Sequence, residues 1–473
     1  MGVNASTKND QKFIEIYRNR LKQKLNDCYE YKKTEFEKYY KTLSVVKRNE
    51  NGIIRKVVRV NRLDRKDPLK SENDLPAFAV KTVYKYSEHS SLNNLIREKE
   101  MLKIVDHPYV LRFFDYIEEQ YSIHFVTELL EGSNLHQFVT QKGKLDEAQA
   151  ASLVCKILKG LNYLHTHYII HRDIKPENIM VSGDLEQLKI IDFGLSRFIL
   201  PKEKVTCRVG TPLYMAPEVV AKKYGVKCDL WSLGVLTYFL VTGNYPFTCS
   251  RKHEEGVNRD IDSIVWEGIS CDLKDFIKGL LQPKPSKRFS AEQALSHVWL
   301  DFSNFPASIP IKETSNILNY RAKNVFLEET LQLLVKTLPQ TKLKTLTEAF
   351  FCLEEASKGY VNVSNLKKYL LNFCSSSKKA MNKNLKMNRV YFSEFLTMNF
   401  KEAADDQSLE IVFKLYDNDN DGYLSLDDLE WYFNSVGKSL QHTELFEVFC
   451  ENSLSDKVDF GQFKTIINNL ISQ

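Results

Sequence analysis

Three ordered runs hold the residue types that phosphate chemistry needs: HRDIKPENIM at 171–180, IIDFGLS at 190–196 and GTPLYMAPE at 210–218. Moving a phosphoryl group asks little covalent work of a protein; it asks for in-line positioning and for neutralisation of charge on the phosphate oxygens. Asp173 can accept or orient the proton of an attacking hydroxyl. Lys175, two residues on, can reach a terminal phosphate, and Asn178 and Asp192 offer oxygens for magnesium ions held against it. Lys81, in an AVK run on a strand, supplies a cation for the inner phosphates.

The elements that must position these groups are legible from periodicity. Residues 43–60 and 77–84 carry the β-branched runs LSVV, KVVRV and AFAVKTV, whereas helical spacing dominates after Leu92. Strands followed by helices predict an α+β domain over residues 39–300. The three runs are the signature set of protein kinases, and this stretch resembles that family. The resemblance implies a two-lobed protein kinase fold that transfers the γ-phosphate of ATP, with magnesium, to protein hydroxyls. It also matches Glu98 in REKEMLKIVDHP to the acid that pairs with Lys81, with Glu100 on the wrong face, and places Thr127 and Glu128 where the segment between the lobes meets adenine. Glu218 and Arg288 match a structural ion pair of the family, and Lys175 in HRDIKPEN is similar to the serine/threonine-specific members. Cys207 stands where many kinases place a phosphorylated threonine, so activation-loop phosphorylation is expected to be dispensable. Glu177, with Asn134 in place of a second acid, predicts a weak preference for basic residues upstream of the target hydroxyl.

The family's nucleotide lid, G-x-G-x-x-G between the first two strands, is degraded. Registering Val57 on the valine that follows the lid puts Glu50, Gly52 and Arg55 at the glycine positions, so only the middle glycine survives and Arg55 offers its side-chain charge to the phosphates instead. Two readings follow: an active enzyme with an altered lid, or a calcium-responsive pseudokinase scaffold with little or no turnover. The presence of Lys81, Glu98, Asp173, Asn178 and Asp192 together favours activity.

A second kind of site lies in residues 341–473. The loop DNDNDGYLSLDD at 417–428 has the spacing of an EF-hand calcium loop: Asp417, Asp419 and Asp421 at positions 1, 3 and 5, the Tyr423 carbonyl at 7, Ser425 through water at 9 and Asp428 at 12. Asp428 replaces the usual longer Glu, which favours weaker calcium binding or a tighter, magnesium-like site. Segments 354–365, 383–394 and 451–462 keep the helix-loop-helix spacing without the ligands and are expected to bind no metal. Between the two regions, over 301–340, Ile317, Tyr320, Leu327, Leu331, Leu334 and Leu338 recur in a heptad-like pattern interrupted at Asn324, which predicts a long amphipathic helix. A kinase domain joined by such a helix to an all-α, calmodulin-like unit resembles the calcium-dependent protein kinases of plants and protists. The resemblance implies calcium activation and a junction helix that inhibits the kinase at rest.

Composition bounds the rest. The 473 residues carry 66 Lys and Arg against 61 Asp and Glu, a net charge of +5. Of these, 12 and 6 fall in residues 1–48, leaving 54 and 55, or −1, for the remainder. No nucleic-acid partner is therefore expected. Nine scattered cysteines form neither a disulfide framework nor a zinc site and suit a cytoplasmic setting. The start, MGVNAS, fits N-myristoylation at Gly2. Phe13, Tyr17, Leu21, Leu25 and Cys28 then recur at helical spacing among basic residues. Because one acyl chain anchors only marginally without a second signal, residues 1–38 are expected to hold the protein peripherally on the cytosolic face of a membrane.

Overall fold

The computed structural model describes residues 36–49, 52–60, 77–85, 92–247, 259–261, 264–302, 317, 325–337, 340–354, 358–364, 366, 388–400, 405–436 and 457–472. Gly2, the basic helix expected around Phe13 to Cys28, Glu50, Tyr320, Asn324 and Leu338 lie outside them.

A single helical turn, α1 (Phe36–Tyr39), leads into β1 (Tyr40–Asn49), which pairs with β2 (Gly52–Arg59), β3 (Ala77–Tyr84), β4 (Phe113–Glu118) and β5 (Ser122–Glu128) in an antiparallel sheet of order β1-β2-β3-β5-β4. Between β3 and β4, α2 (Leu92–Ile104) carries Glu98. Side chains alternate across a sheet, so the register assigns the faces. Ile54 pairs with Lys81 and Lys56 with Ala79, whereas Arg55 pairs with Val80 and Val57 with Phe78. The first set shares a face with Lys81; the second forms the outer face.

The second lobe is helical. α3 (Leu135–Lys142) and α4 (Glu147–Thr166) each begin with a capping box, Asn134 with Gln137 and Asp146 with Gln149, which satisfies amides left unpaired at the helix start. Asn134 is thus a helix cap. α5 (Cys228–Thr242) is apolar on all sides and buried through almost its whole length, and it ends at Gly243 in the left-handed conformation. Short strands β6 (Ile179–Val181) and β7 (Leu188–Ile190) form the ladder that frames the catalytic loop. Arg288 and Glu218, both buried, pair at 2.5 and 2.9 Å and tie α6 (Cys271–Leu280) and its following loop to the 210–218 segment. No helix among the described residues is long and apolar enough to cross a membrane.

Beyond residue 324, α7 (Val325–Thr337) is followed by two helix-loop-helix pairs. The first contains α8 (Gln340–Leu353), β8 (Tyr360–Asn362), β9 (Arg389–Tyr391) and α9 (Phe392–Asn399), its loops joined by β8 and β9. The second contains α10 (Asp406–Tyr416), α11 (Leu426–Ser435) and α12 (Phe460–Ser472), joined by a bridge in which Leu424 and Val458 exchange amide hydrogen bonds at 2.8 and 2.9 Å. α7 lies against α9 and α10, and so serves as the spine between the pairs. The expected helix over the heptad-like run is described only as far as α7; Ile317 is buried in the core of the first pair.

This module sits behind the catalytic domain. One apolar cluster runs from the outer face of the sheet (Val57, Phe78, Val80, Val126) through Phe36 and Tyr39 into Phe326, Leu331, Leu334, Val412, Tyr416 and Phe463. The first pair docks on the helical lobe, where Phe351 stacks on Tyr109 with centroids 5.1 Å apart and receives the Lys159 ammonium at 4.1 Å. Ser393 donates its amide (3.0 Å) and hydroxyl to Asp106. Gly359, at φ 80°, lies so close to Tyr163 that a Cβ would come within 2.1 Å of the ring, so this docked turn requires glycine. α7 makes no described contact with Lys81, Asp173 or Asp192; its end is held by Arg112, which donates to the Lys336 carbonyl at 2.6 Å.

Candidate active site

The cleft between the lobes gathers the residues singled out above. From β3, Lys81 donates to Glu98 Oε1 of α2 at 2.6 Å and to Asp192 Oδ1 at 3.0 Å. Burial works against its charge, but Asp192 and Glu98 together hold the Lys81 ammonium above its ordinary value. Lys81 in turn holds Asp192 down to about 2, so this carboxylate is ionised and ready to meet a cation. Burial pushes the Glu98 carboxyl upward. About a third of the Lys81 side chain, 36%, stays open to the cleft.

Asp192 sits at φ 66° and Arg172 at φ 70°, both in the left-handed region that side chains rarely adopt. Strained backbone persists only where its surroundings over-determine it, and here they do. Phe193, fully buried, packs edge-on against His171 at 5.1 Å. Arg172 donates through Nε to the Leu195 carbonyl at 2.5 Å. Asp229, buried at the start of α5, accepts the backbone amides of His171 (3.0 Å) and Arg172 (2.8 Å) and contacts His165 Nε2 at 2.9 Å.

That frame presents Asp173. Its Oδ2 accepts from Asn178 Nδ2 at 2.8 Å and pairs with Lys175 Nζ at 2.8 Å, while Oδ1 accepts from the Thr211 hydroxyl at 2.8 Å. Lys175 also reaches Thr211 Oγ1 at 2.8 Å. The Asn178 amide nitrogen is thereby spent on Asp173, which leaves its amide oxygen as the metal-directed atom. Together Asn178 and Asp192 provide hard oxygen donors, a set that fits magnesium.

Thr127 lies on the Lys81 face opposite Ala79 and hydrogen-bonds its carbonyl at 3.4 Å. Glu128 ends β5, in the segment between the lobes where the sequence places it, and its side chain is turned to other partners. Its carboxylate pairs with Lys189 at 2.9 Å and accepts the Arg112 amide at 2.8 Å, and these cations hold it below its ordinary value despite burial. Only its main chain remains for a nucleotide.

The lid reading is corrected by the register. Because Ile54, not Val57, shares the Lys81 face and row, the lid positions fall on Lys47, Asn49 and Gly52, and the surviving glycine is the last of the three. At Gly52 a Cβ would lie 1.9 Å from the Thr82 carbonyl oxygen, so the close approach of β2 to β3 there demands glycine. Arg55 projects from the opposite face, with its guanidinium 5.7 Å from the Phe36 ring, and cannot serve phosphate from there.

Sequence reading passed over Asp229, Thr211 and Lys189. An acid opening an otherwise apolar helix was a usable signal for Asp229; the other two become visible only through their partners.

In the acidic loop, Asp417, Asp419 and Asp421 each bring an oxygen within 4.8 Å of the others. Burial and the neighbouring Asp428, Asp419 and Asp421 push the Asp417 carboxyl up to about 7. Such a converging set of carboxylate oxygens fits a hard cation. Asp428 is held apart from it: Oδ1 accepts the Asn418 and Asp419 amides at 3.1 and 3.3 Å, and Oδ2 accepts the Ser425 hydroxyl at 2.5 Å as part of the cap of α11. Tyr423 donates its amide to Asp421 at 2.8 Å. Lys457, from the neighbouring ligand-poor loop, donates to Asp421. The loop also touches α1, since Tyr39 donates to the Asn418 carbonyl at 3.0 Å and Asn420 to the Lys38 carbonyl at 2.7 Å.

Comparison with known proteins agrees with this geometry. Residues 69–300 match the protein kinase domain family, a span that begins after β1 and β2, the hairpin with the altered lid. A CDPK-related protein kinase of Daucus carota is 31% identical over 368 residues, covering 72% of this chain and 60% of that protein. CDPK-related kinase 5 of Arabidopsis thaliana is 30% identical, covering 76% and 64%, and calcium-dependent protein kinase 7 of the same plant is 29% identical, covering 80% and 75%. The chain thus spans less than two thirds of the length of the first two. Residues 69–300 thus form a protein kinase domain, and over most of its length the chain is similar to the calcium-dependent and CDPK-related protein kinases of plants.

Proposed function

We propose that this protein is a calcium-regulated serine/threonine kinase that transfers the ATP γ-phosphate to protein hydroxyls. The observation that carries the reading is the unbroken chain Glu98–Lys81–Asp192, aligned with Asp173, Asn178 and Lys175 in one cleft. Lys81 holds the inner phosphates, and Asn178 and Asp192 would hold magnesium, which would neutralise charge on the phosphate oxygens. Asp173 orients the attacking hydroxyl. Lys175, shared between Asp173 and Thr211, stands beside the position of the transferred group. Thr211 positions both.

Calcium regulation rests on the acidic loop of an EF-hand module docked across both lobes. Asp417, Asp419 and Asp421 supply the converging carboxylates, Tyr423 its carbonyl and Ser425 a water-mediated position, while Asp428 must turn from its amide partners to join them. A ligand shifts an equilibrium only by its differential affinity for the two states. Occupancy of this single loop therefore acts through the contacts it alters at Lys38, Tyr39 and the outer face of the sheet. Attachment to the cytosolic face of a membrane through a myristoylated Gly2 and the basic N-terminal segment completes the proposal.

A γ-phosphate transfer assay on the purified chain, with and without calcium and with Asp173→Asn as control, tests the reading. Calcium-dependent transfer that the substitution abolishes supports it; equal counts from both proteins would leave the scaffold reading standing.

A further inference from the structure

The lid register raises the question of what meets the phosphates where glycine amides do not. β1 has two irregularities, between Thr42 and Ser44 and between Val45 and Lys47, and after the second one Lys47 pairs with Ile54 and Arg48 with Ile53. Ile54 in turn pairs with Lys81, and Ile53 with Thr82. Directly paired residues of antiparallel strands project to the same side. Lys47 therefore lies in one row with Ile54 and Lys81 on the cleft face, two strand spacings or roughly 10 Å across from Lys81. Arg48 lies on the outer face with Arg55.

Three further facts bear on Lys47. It occupies the first lid position, two residues before the end of β1, at the hairpin rim of the sheet. It is exposed and has no ion-pair partner among the described residues. Two other cleft cations are already engaged: Lys81 by Glu98 and Asp192, Lys175 by Asp173. Lys56 shares the cleft face but lies in the Ala79 row, two residues further from the hairpin tip. A lysine needs no close backbone approach to reach a phosphate, since its four-carbon stem spans the gap that a glycine-poor lid leaves.

We infer that Lys47 is a nucleotide-contacting residue whose ammonium binds the polyphosphate of ATP in place of the missing lid amides. The inference rests on the proposal that the cleft binds ATP. It makes the lid electrostatic: affinity for the phosphates is carried by a side chain and is screened by salt.

The test is calorimetric binding of ATP, ADP and adenosine to the full chain and to its Lys47→Met and Arg48→Met variants. Lys47→Met keeps the apolar stem and removes the charge. It should weaken ATP and ADP about fivefold to tenfold, the scale of one solvent-accessible charge-assisted contact, and leave adenosine unchanged. Arg48→Met, equal in charge loss but on the other face, should bind all three as the parent does. Equal weakening of adenosine would assign Lys47 to packing, and equal losses in both variants would reduce the effect to general charge; either overturns the inference, as does no change in ATP affinity. A parent chain that binds no nucleotide while folded would instead fail the underlying proposal.

Discussion

Asp229→Asn isolates how the catalytic loop is held. Asp229 is fully buried, touches no phosphate-directed group, and accepts the amides of His171 and Arg172 while contacting His165. Asparagine keeps the shape but turns one acceptor into a donor, so at least one of these three groups faces an NH₂. A hydrogen bond to a charged group contributes about 1.5–3 kcal/mol, and a buried donor left unsatisfied costs about 1–3 kcal/mol. A net loss of roughly 3 kcal/mol follows, and at about 2–4 °C per kcal/mol for a domain near this size the melting temperature of the catalytic domain should fall by roughly 6–12 °C. Arg172, at φ 70°, is the residue whose conformation those bonds enforce, so Asp173 shifts with it. kcat should fall about tenfold to a hundredfold while KM for ATP changes little, because Lys81 and Asp192 stand on other elements. There is also a pH arm. Although burial pushes its carboxyl up, the His165 contact and the His171 amide hold Asp229 below its ordinary value. A group depressed in the folded state contributes stability above its unfolded pKa, about 3.9, and loses that contribution as pH falls through the folded value. The variant should lack this acid-side slope. Differential scanning calorimetry between pH 3 and 7, with steady-state kinetics, checks all three. An Asn variant with parental melting temperature and kcat would refute the reasoning.

Asp173→Asn and Asp192→Asn should each cut phosphoryl transfer by orders of magnitude with circular dichroism unchanged, since one removes the hydroxyl-orienting carboxylate and the other a metal oxygen. Asp417→Ala should abolish calcium binding by the full chain, whereas Asp428→Glu should raise calcium affinity relative to magnesium through its longer reach; Lys457→Met should tighten calcium by freeing Asp421, and calorimetry reads each. Glu354, which accepts the Gly359 amide at the docked face of the first helix pair, is pushed up to about 7 by burial against the lowering effects of that amide and Lys159. A raised carboxyl favours folding below its unfolded pKa, and that contribution disappears as pH rises to 7, a penalty of about 3 kcal/mol; Glu354→Gln should flatten the loss of thermal stability between pH 5 and 8.

The clustering of the candidate catalytic residues was legible in the chain because its parts are local. Asp173, Lys175 and Asn178 occupy one tight loop, Asp192 and Phe193 another, and the acidic loop places three carboxylates at alternate positions, so spacing alone conveys geometry. Strand-to-helix order likewise announced the two lobes. The lid was misread for a physical reason: in a strand of period two, any odd slip, such as that from Val57 to Ile54, exchanges the faces. The Lys- and Arg-rich hairpin has no apolar alternation strong enough to choose, and Leu43 and Val46 fall at irregularities that no propensity marks. Pairing with β3, whose Lys81 must face the cleft and whose Phe78 and Val80 must be buried, decides the register. Asp229, the outward turn of the Glu128 carboxylate to Lys189, and the seating of the C-terminal module on Tyr109, Tyr163 and the outer face of the sheet share that origin. Each joins residues tens to hundreds of positions apart, and a contact of that kind exists only once both surfaces have folded.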